Sequence, residues 1–289
     1  MRGMHVVTLG TAGGPIWHRG DDGGHRAGIA TAVVVDGAVY LVDCGHGVGQ
    51  QMVRTGLDFH RIAGIFITHM HSDHTIDLNS LMVMGGLRFR GHEHLRVPVF
   101  GPGPRGSLAP VSAFADETPE AIFPDAPTPG TSDLVELLLR AHATDLNDRR
   151  RDSLAADTSK VFRGVDIEIP ESVGFHPNDN NHPEMEPFEV FADDRVRVTA
   201  TLVQHQPVAP AFAFRFDTGH GSVVVSGDTA VSENLVRLAR DADLLLHEAI
   251  DLDHVVRGYD DSQQAAREAS MDHHRKAHTP VRDAGDVAR

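Results

Sequence analysis

Residues 68–74, THMHSDH, place three histidines and one aspartate directly after an apolar stretch that is typical of a buried strand. In extended backbone, side chains two positions apart point to the same side, so His69 and His71 can reach one ion. Asp73 and His74 follow as the chain turns and can face a second ion. Because imidazole and carboxylate are ligands of zinc and other divalent metals, the motif predicts a metal site rather than a histidine-rich surface loop.

Short β-branched segments and longer amphipathic segments alternate on both sides of the motif. Strands are predicted at HVVTLG (5–10), TAVVVDG (31–37), AVYLVDCG (38–45), GIFIT (64–68), LRVPVFGP (95–102), RVRVTATLVQ (195–204), AFAFRFD (211–217), GSVVVSGD (221–228) and DLLLHEA (243–249). Helices are predicted at GVGQQMVRTG (47–56), DLNSLMVMGGLRF (77–89), SDLVELLLRAHATDL (132–146) and SENLVRLARDA (232–242). Strands that alternate with helices predict an α/β protein, here with two sheets in a sandwich covered by helices.

The stretch between about residues 105 and 190 differs in composition from the rest of the chain. Acidic residues outnumber basic ones there, prolines are frequent, and NDNNHPEMEP (178–187) is typical of a polar loop. We interpret it as an acidic insertion or lid within a single domain that spans residues 1–289. Most of its charges are expected to form a solvated surface.

Three later polar residues also stand at the ends of apolar strands. They are His205, Asp228 and His247, the last followed by Glu248. Each of them alone is also typical of a surface residue after a strand. Because strand ends in an α/β fold converge on one crevice, the three positions support one another and the motif at 68–74.

The chain is acidic, with 26 lysines and arginines against 41 aspartates and glutamates and a net charge of −15. That balance is unfavourable for holding a polyanion by charge, and the basic run at 149–151 is flanked by aspartates. Cys44 is the only cysteine, which excludes an intrachain disulfide and is typical of a reducing compartment. Without a signal-peptide pattern or a membrane-length apolar run, we expect a cytoplasmic protein with no membrane partner.

The motifs, taken in order, resemble the metallo-β-lactamase superfamily. Its HxHxDH pattern is present as His69, His71, Asp73 and His74, and SGDT stands at 226–229. Further segments resemble the branch that contains ribonuclease Z and related arylsulfatase-like and phosphodiesterase-like hydrolases: TLGTAGG (8–14), YLVDCGHG (40–47), QHQPVAPAFAFRF (204–216), HEA (247–249) and HTPVRDAGDVA (278–288). The resemblance covers both ends of the chain but not the acidic stretch.

This resemblance implies a four-layer αββα sandwich and two divalent metal ions. In matching positions, the first metal would bind His69, His71 and His205, the second Asp73 and His74, and both would share Asp228. The implied reaction is hydrolysis of an ester by a metal-bound hydroxide, with a phosphodiester as the predicted substrate. The alternatives are an arylsulfatase or lactonase type of hydrolase, and a metal-binding protein whose site is incomplete and impaired.

The resemblance also implies roles for individual residues. Asp73 would manage the proton of the nucleophile, and His247 would donate a proton to the leaving group. Asp43 is expected either to orient a ligand histidine or to be a buried turn aspartate. Cys44 is predicted to be a buried structural thiol, and Asp77 to stand at the N-terminus of a helix.

The family pattern continues with a strand, ending in a metal-binding histidine, that this sequence does not include before Arg289. We therefore expect a weak second metal site, for which His273, His274 or His278 are candidate substitute ligands. A sheet edge without that strand would invite pairing with a second copy in a homodimer. Zn²⁺ is the expected metal, with Mn²⁺ or Fe²⁺ as alternatives. The expected partner is a small ester or phosphodiester; transfer RNA fits the motifs but is disfavoured by the charge.

Overall fold

Strands and helices alternate along the residues that the computed structural model describes, 3–19 and 24–287. The strands are β1 (Met4–Gly10), β2 (His18–Arg19), β3 (His25–Arg26), β4 (Ala30–Val35), β5 (Ala38–Val42), β6 (Ile62–Phe66), β7 (Val97–Pro102), β8 (Phe162–Ile167), β9 (Phe188–Ala192), β10 (Val196–Leu202), β11 (Phe212–Thr218), β12 (Gly221–Val225) and β13 (Leu244–Leu246). The helices are α1 (Val48–Thr55), α2 (Ser72–Thr75), α3 (Leu78–Gly86), α4 (Thr131–Ala141), α5 (Ala143–Asp152), α6 (Thr158–Val161), α7 (Glu233–Ala239), α8 (Leu252–Arg257), α9 (Gln264–Ala277) and α10 (Val281–Val287). Each predicted strand is present, and so are the predicted helices, except that the single helix predicted at 132–146 is divided at His142 into α4 and α5. The α/β class is confirmed.

The described chain divides into two compact units, each with its own sheet. The first unit comprises the residues up to Pro104 together with Pro129–Ile167 and Thr218–His220. The second comprises Arg105–Thr128, Glu168–Asp217 and the residues from Gly221 onward. The acidic stretch at 105–190 is therefore shared between the two units. Its interpretation as a lid of a single domain stays a prediction.

The sheet of the first unit has the order β1-β4-β5-β6-β7-β8. Its first two pairings are antiparallel, whereas β5 to β8 run parallel to one another. Three helices, α1, α3 and α4, cover one face. The apolar core between them and the strands includes Leu41, Met52, Ile65, Leu81, Val99, Val135 and Leu139. Because neighbouring strands are parallel, the carboxyl ends of β5 and β6 lie side by side.

The sheet of the second unit has the order β13-β12-β11-β10-β9 and is mixed, since β9 and β10 are antiparallel and β12 and β13 parallel. Helices α7 and α10 pack on it through an apolar cluster of Val203, Ala211, Ala213, Val224, Leu235, Leu238 and Val287. Ser232 stands at the N-cap of α7 as predicted, but its side chain makes no capping hydrogen bond. Because β12 and β13 are parallel, the segments that follow these two strands begin side by side at their carboxyl ends.

Strands β8 and β9 lie in or beside the acidic stretch and were not predicted. Strand β8 has the sequence FRGVDI, whose charged residues and glycine interrupt any apolar run. Its pairing with β7 along the full length of both strands makes it a strand. At Gly164 a Cβ would lie 2.6 Å from the Cα of Ser132, so glycine is needed where α4 approaches β8.

Among the described residues, no helix has the length and apolar character needed to cross a membrane. Ala288, the last residue of the HTPVRDAGDVA segment, lies outside the described residues together with Arg289.

We predict that Leu81→Ala in α3 lowers the free energy of unfolding by about 2–5 kcal/mol, because Leu81 is fully buried in the first unit. Leu137→Ala in α4 is the matched control, since Leu137 is a helical leucine that is 55% exposed. Urea-induced unfolding of both variants measures the difference. Equal losses of stability in the two variants would contradict the assignment of the core.

Candidate metal centre

The motif THMHSDH begins after β6 ends at Phe66 and turns into the one-turn helix α2 at Ser72. The ring centroids of His69 and His71 are 4.8 Å apart, and those of His69 and His74 are 4.1 Å apart. Asp73 Oδ2 lies 3.5 Å from His74 Nε2. The four predicted ligands of this motif are therefore gathered in one place within the first unit.

Asp43 holds this group of ligands from the neighbouring strand. It follows β5, is 1% exposed, and its Oδ1 accepts the backbone N–H of Thr68 at 2.8 Å. Its Oδ2 lies 2.8 Å from His74 Nδ1 and accepts the Thr68 hydroxyl at 2.9 Å. A carboxylate on Nδ1 sets the tautomer and orientation of an imidazole whose Nε2 is to bind a metal. Asp43 therefore contacts a histidine as the first of its two predicted roles requires, and it is also buried at a turn as the second requires. That His74 is a metal ligand stays a prediction.

The loop after Asp43 packs tightly against the metal motif. The Cys44 N–H donates to the His74 carbonyl at 2.7 Å, and a Cβ on Gly45 would lie 2.7 Å from the Asp73 carbonyl oxygen. Only glycine allows this approach. Cys44 is fully buried as predicted; burial raises the pKa of its thiol, and the carboxylates of Asp43 and Asp77 raise it further.

Asp77 and the N-terminal TLGTAGG segment, both singled out from the sequence, also contact the metal motif or the loop after Asp43. Asp77 occupies the N-cap position of α3 as predicted, and its Oδ2 accepts the Gly47 N–H at 2.6 Å. The N-terminal TLGTAGG segment reaches the metal motif through Gly14, whose N–H donates to Asp73 Oδ2 at 2.8 Å. Asp73 is thus oriented by a backbone donor that no local pattern in THMHSDH predicts.

In the second unit, His205 and Asp228 lie close together. His205 follows β10, is fully buried, and its Nδ1 lies 2.8 Å from the Ala277 carbonyl oxygen. Asp228 follows β12 after a left-handed turn at Gly227, whose φ is 60°. The possible ligand atoms of His205, Asp228 and His278 all lie within 4.8 Å of one another.

His278 forms a pair with Glu248 that the sequence analysis did not predict. Its Nδ1 lies 3.0 Å from Glu248 Oε1 and 3.9 Å from Asp228 Oδ2. Glu248 Oε1 also accepts the backbone N–H of Thr229 at 2.9 Å. Burial raises the pKa of Glu248, the hydrogen bond with His278 lowers it, and the Asp228 carboxylate raises it. The available signals were the HEA segment after β13 and the HTP segment after α9, but nothing in either segment indicates that they meet.

His247, the predicted proton donor, stands next to this pair in sequence. Its Nδ1 lies 2.6 Å from the carbonyl oxygen of Glu248. Its Nε2 is buried and finds no hydrogen-bond partner among the residues that the structure describes. His273, His274 and His278, the predicted substitute ligands, also form a group whose ligand atoms lie within 4.8 Å. The roles of these histidines stay predictions.

The donor groups of both units fit divalent metal ions. In three of the histidines, Nδ1 lies beside an oxygen atom, which leaves Nε2 as the nitrogen for a metal: His69, His74 and His205. Carboxylates accompany the imidazoles in each unit, as expected of sites for zinc or harder cations. That the predicted ligands of the two units serve one centre stays a prediction.

Comparisons with known proteins find relatives of the kind that the sequence motifs predict. A family model described as "Anti-Pycsar protein Apyc1" matches residues 30–99. Ribonuclease Z of Mycobacterium sp. strain KMS is 29% identical over 285 residues, which are 99% of this chain and 79% of that protein. Ribonuclease Z of Mycobacterium bovis strain BCG / Pasteur 1173P2 is 26% identical over 254 residues, 88% of this chain and 73% of that protein.

Solved structures confirm the fold. Human tRNase Z, short form, matches with a TM-score of 0.59 and 21% identity, covering 98% of this chain and 87% of that chain. The metallo-β-lactamase fold protein YhfI from Bacillus subtilis matches with a TM-score of 0.55 and 16% identity over 99% and 82%. A diphosphatase of the PhnP family matches with a TM-score of 0.54 and 15% identity over the same shares.

We predict that Asp43→Asn weakens metal binding by about 10–100-fold, because the amide cannot accept from His74 and Thr68 as the carboxylate does. Asparagine tolerates the left-handed conformation of this position, where φ is 61°. Asp36→Asn is the matched control, since Asp36 is an exposed aspartate with φ of 48°. Zinc titration against a competing chelator measures both. Unchanged affinity in Asp43→Asn would show that the carboxylate has no part in metal binding.

Proposed function

We propose that the chain is a ribonuclease Z-like hydrolase of the metallo-β-lactamase superfamily and that it cleaves phosphodiester bonds with two divalent metal ions. The observation that supports the proposal most strongly is the HxHxDH motif held by Asp43. His74 carries a carboxylate on Nδ1 at 2.8 Å, as a histidine prepared for a metal does. The similarity to ribonuclease Z favours phosphorus as the reacting centre.

The proposed ligands are the six residues named from the sequence. His69, His71 and His205 are assigned to the first metal, Asp73 and His74 to the second, and Asp228 to both. When bound, two such cations make a water molecule a stronger acid and offset the negative charge of the phosphoryl oxygens. Zn²⁺ is the proposed metal, with Mn²⁺ or Fe²⁺ as alternatives.

The residues of the chain itself would handle the protons. The carboxylate of Asp73, which accepts the Gly14 N–H, would accept a proton from the nucleophilic water. His247 is the proton donor proposed from the sequence. The pair of His278 and Glu248 is a second candidate, because the Glu248 side chain 3.0 Å from Nδ1 fixes the orientation of the imidazole that would donate the proton.

The proposed substrate is small. A net charge of −15 opposes the binding of a long polyanion such as transfer RNA. In the proposed site, the metal ions are the groups that would attract the phosphate. A small phosphodiester has little charge beyond the reacting group and avoids this repulsion.

A panel of substrates tests the reaction type. We expect the metal-loaded protein to hydrolyse bis(p-nitrophenyl) phosphate and Asp228→Ala to lose that activity almost completely, because both metals would share this carboxylate. Asp194→Ala is the control, since the Asp194 side chain is 75% exposed. An aryl sulfate, a lactone and precursor transfer RNA complete the panel. Turnover of the sulfate or the lactone without the phosphodiester would overturn the proposal, as would an active Asp228→Ala protein.

The leaving group separates the two candidate proton donors. We expect alanine at the true donor to slow cleavage of an alkyl phosphodiester by ~10²–10⁴-fold, because an alkoxide must be protonated as it leaves. The same variant should cleave a p-nitrophenyl ester nearly normally, since that leaving group needs no proton. His247→Ala and His278→Ala are compared on both esters, with metal content measured for each. A variant that loses metal and slows on both esters would be a ligand instead of a donor.

A further inference from the structure

Trp17 is a large aromatic side chain that the fold leaves exposed. It is the only tryptophan of the chain and is 78% exposed. Its neighbour Ile16 is 67% exposed. A single exposed apolar residue needs no explanation by itself. The contacts of the segment that carries Trp17, described next, are what indicate a role in binding.

The loop that carries Trp17 is attached to the metal motif. Two backbone N–H groups at its start, those of Thr11 and Ala12, donate to the Ala27 carbonyl at 3.2 and 3.0 Å. Gly14 donates to Asp73 Oδ2. Trp17 follows three residues after Gly14, so its Cα lies within about 11 Å of that of Gly14. The indole is therefore carried by the same short segment that contacts Asp73, a residue assigned to the second metal.

Trp17 also contacts the loop that holds the other side of the motif. Its ring and that of His46 meet edge to face, with centroids 6.4 Å apart and planes at 77°. His46 lies between Gly45, which packs against Asp73, and Gly47, whose N–H donates to Asp77. The indole thus rests against a well-anchored residue while most of its surface stays open to solvent.

The acidic character of the chain makes such a side chain useful. With 41 acidic and 26 basic residues, the protein has little general attraction for a nucleotide. Stacking of a base on an aromatic ring needs no positive charge. An aromatic ring can stack on any base, because every base has a π-face.

We propose that Trp17 is a stacking platform for a nucleobase of the substrate. This inference rests on the proposed phosphodiesterase function and assigns to it a residue that binds the base. The phosphate would lie at the Asp73 side of the loop and the base against the indole. Trp17 would act in binding and not in the chemical step.

Fluorescence tests the stacking without any turnover, because Trp17 is the sole tryptophan. The metal-loaded full chain is titrated with AMP, with CMP and with ribose 5-phosphate. We expect saturable quenching by both nucleotides and none by the sugar phosphate. No saturable change with either nucleotide, or the same change with ribose 5-phosphate, would overturn the inference.

Kinetics then separate a binding role from a structural one. Two esters with the same leaving group are compared, nucleoside 5′-(p-nitrophenyl) phosphate and methyl p-nitrophenyl phosphate. Trp17→Ala should raise KM for the nucleoside ester about 5- to 150-fold, with kcat and the methyl ester unaffected. Trp17→Phe should restore most of the affinity, and Ile16→Ala should change neither ester. Equal effects of Trp17→Ala on both esters would contradict base stacking.

The two experiments also distinguish this inference from the function on which it rests. If neither ester is cleaved, the phosphodiesterase proposal fails, whereas the fluorescence titration still decides whether a base stacks on Trp17. If both esters are cleaved equally well by every variant, the function stands and the stacking platform is overturned.

Discussion

The hydrogen bonds of one buried carboxylate organise the first unit around its metal motif. Asp43 is 1% exposed, and a buried charge is costly unless it is paired or fully hydrogen-bonded. Thr68 supplies its N–H and its hydroxyl, and His74 supplies an imidazole nitrogen. These groups belong to the loop that follows the neighbouring parallel strand. Satisfying the carboxylate therefore requires β5 and β6 to end side by side and orients the histidine at the same time.

The close packing of the adjacent loops follows from that arrangement. Because Gly45 has no side chain, the backbone after Asp43 can approach the backbone at Asp73 closely. The backbone N–H of Cys44 donates a hydrogen bond to the His74 carbonyl. Gly14 brings the N-terminal loop to the Asp73 carboxylate. The predicted ligands of this unit are thus held by protein contacts from several segments, as a metal site requires to keep its geometry.

The second unit orients its polar residues by the same principle with different partners. A backbone carbonyl holds Nδ1 of His205, and a carboxylate lies beside Nδ1 of His278. A mixed sheet with parallel β12 and β13 brings the segments that bear Asp228 and Glu248 to one edge. Affinity for the proposed anionic substrate would have to come from such local features, because the chain as a whole carries a net charge of −15.

The sequence by itself determined the features that depend on neighbouring residues. Strands such as β4 and β6 and helix α1 with its end at Gly56 follow from side-chain periodicity, which is local. The predicted ligand set of THMHSDH follows from ligand chemistry in the same local way. Only the tertiary structure decided that FRGVDI is a strand, because its pairing with β7 outweighs an unfavourable composition. It also decided that Asp43 contacts His74 across 31 positions and that Glu248 contacts His278 across 30. Such contacts depend on where distant segments meet in the fold, and no periodic pattern in either segment encodes that meeting.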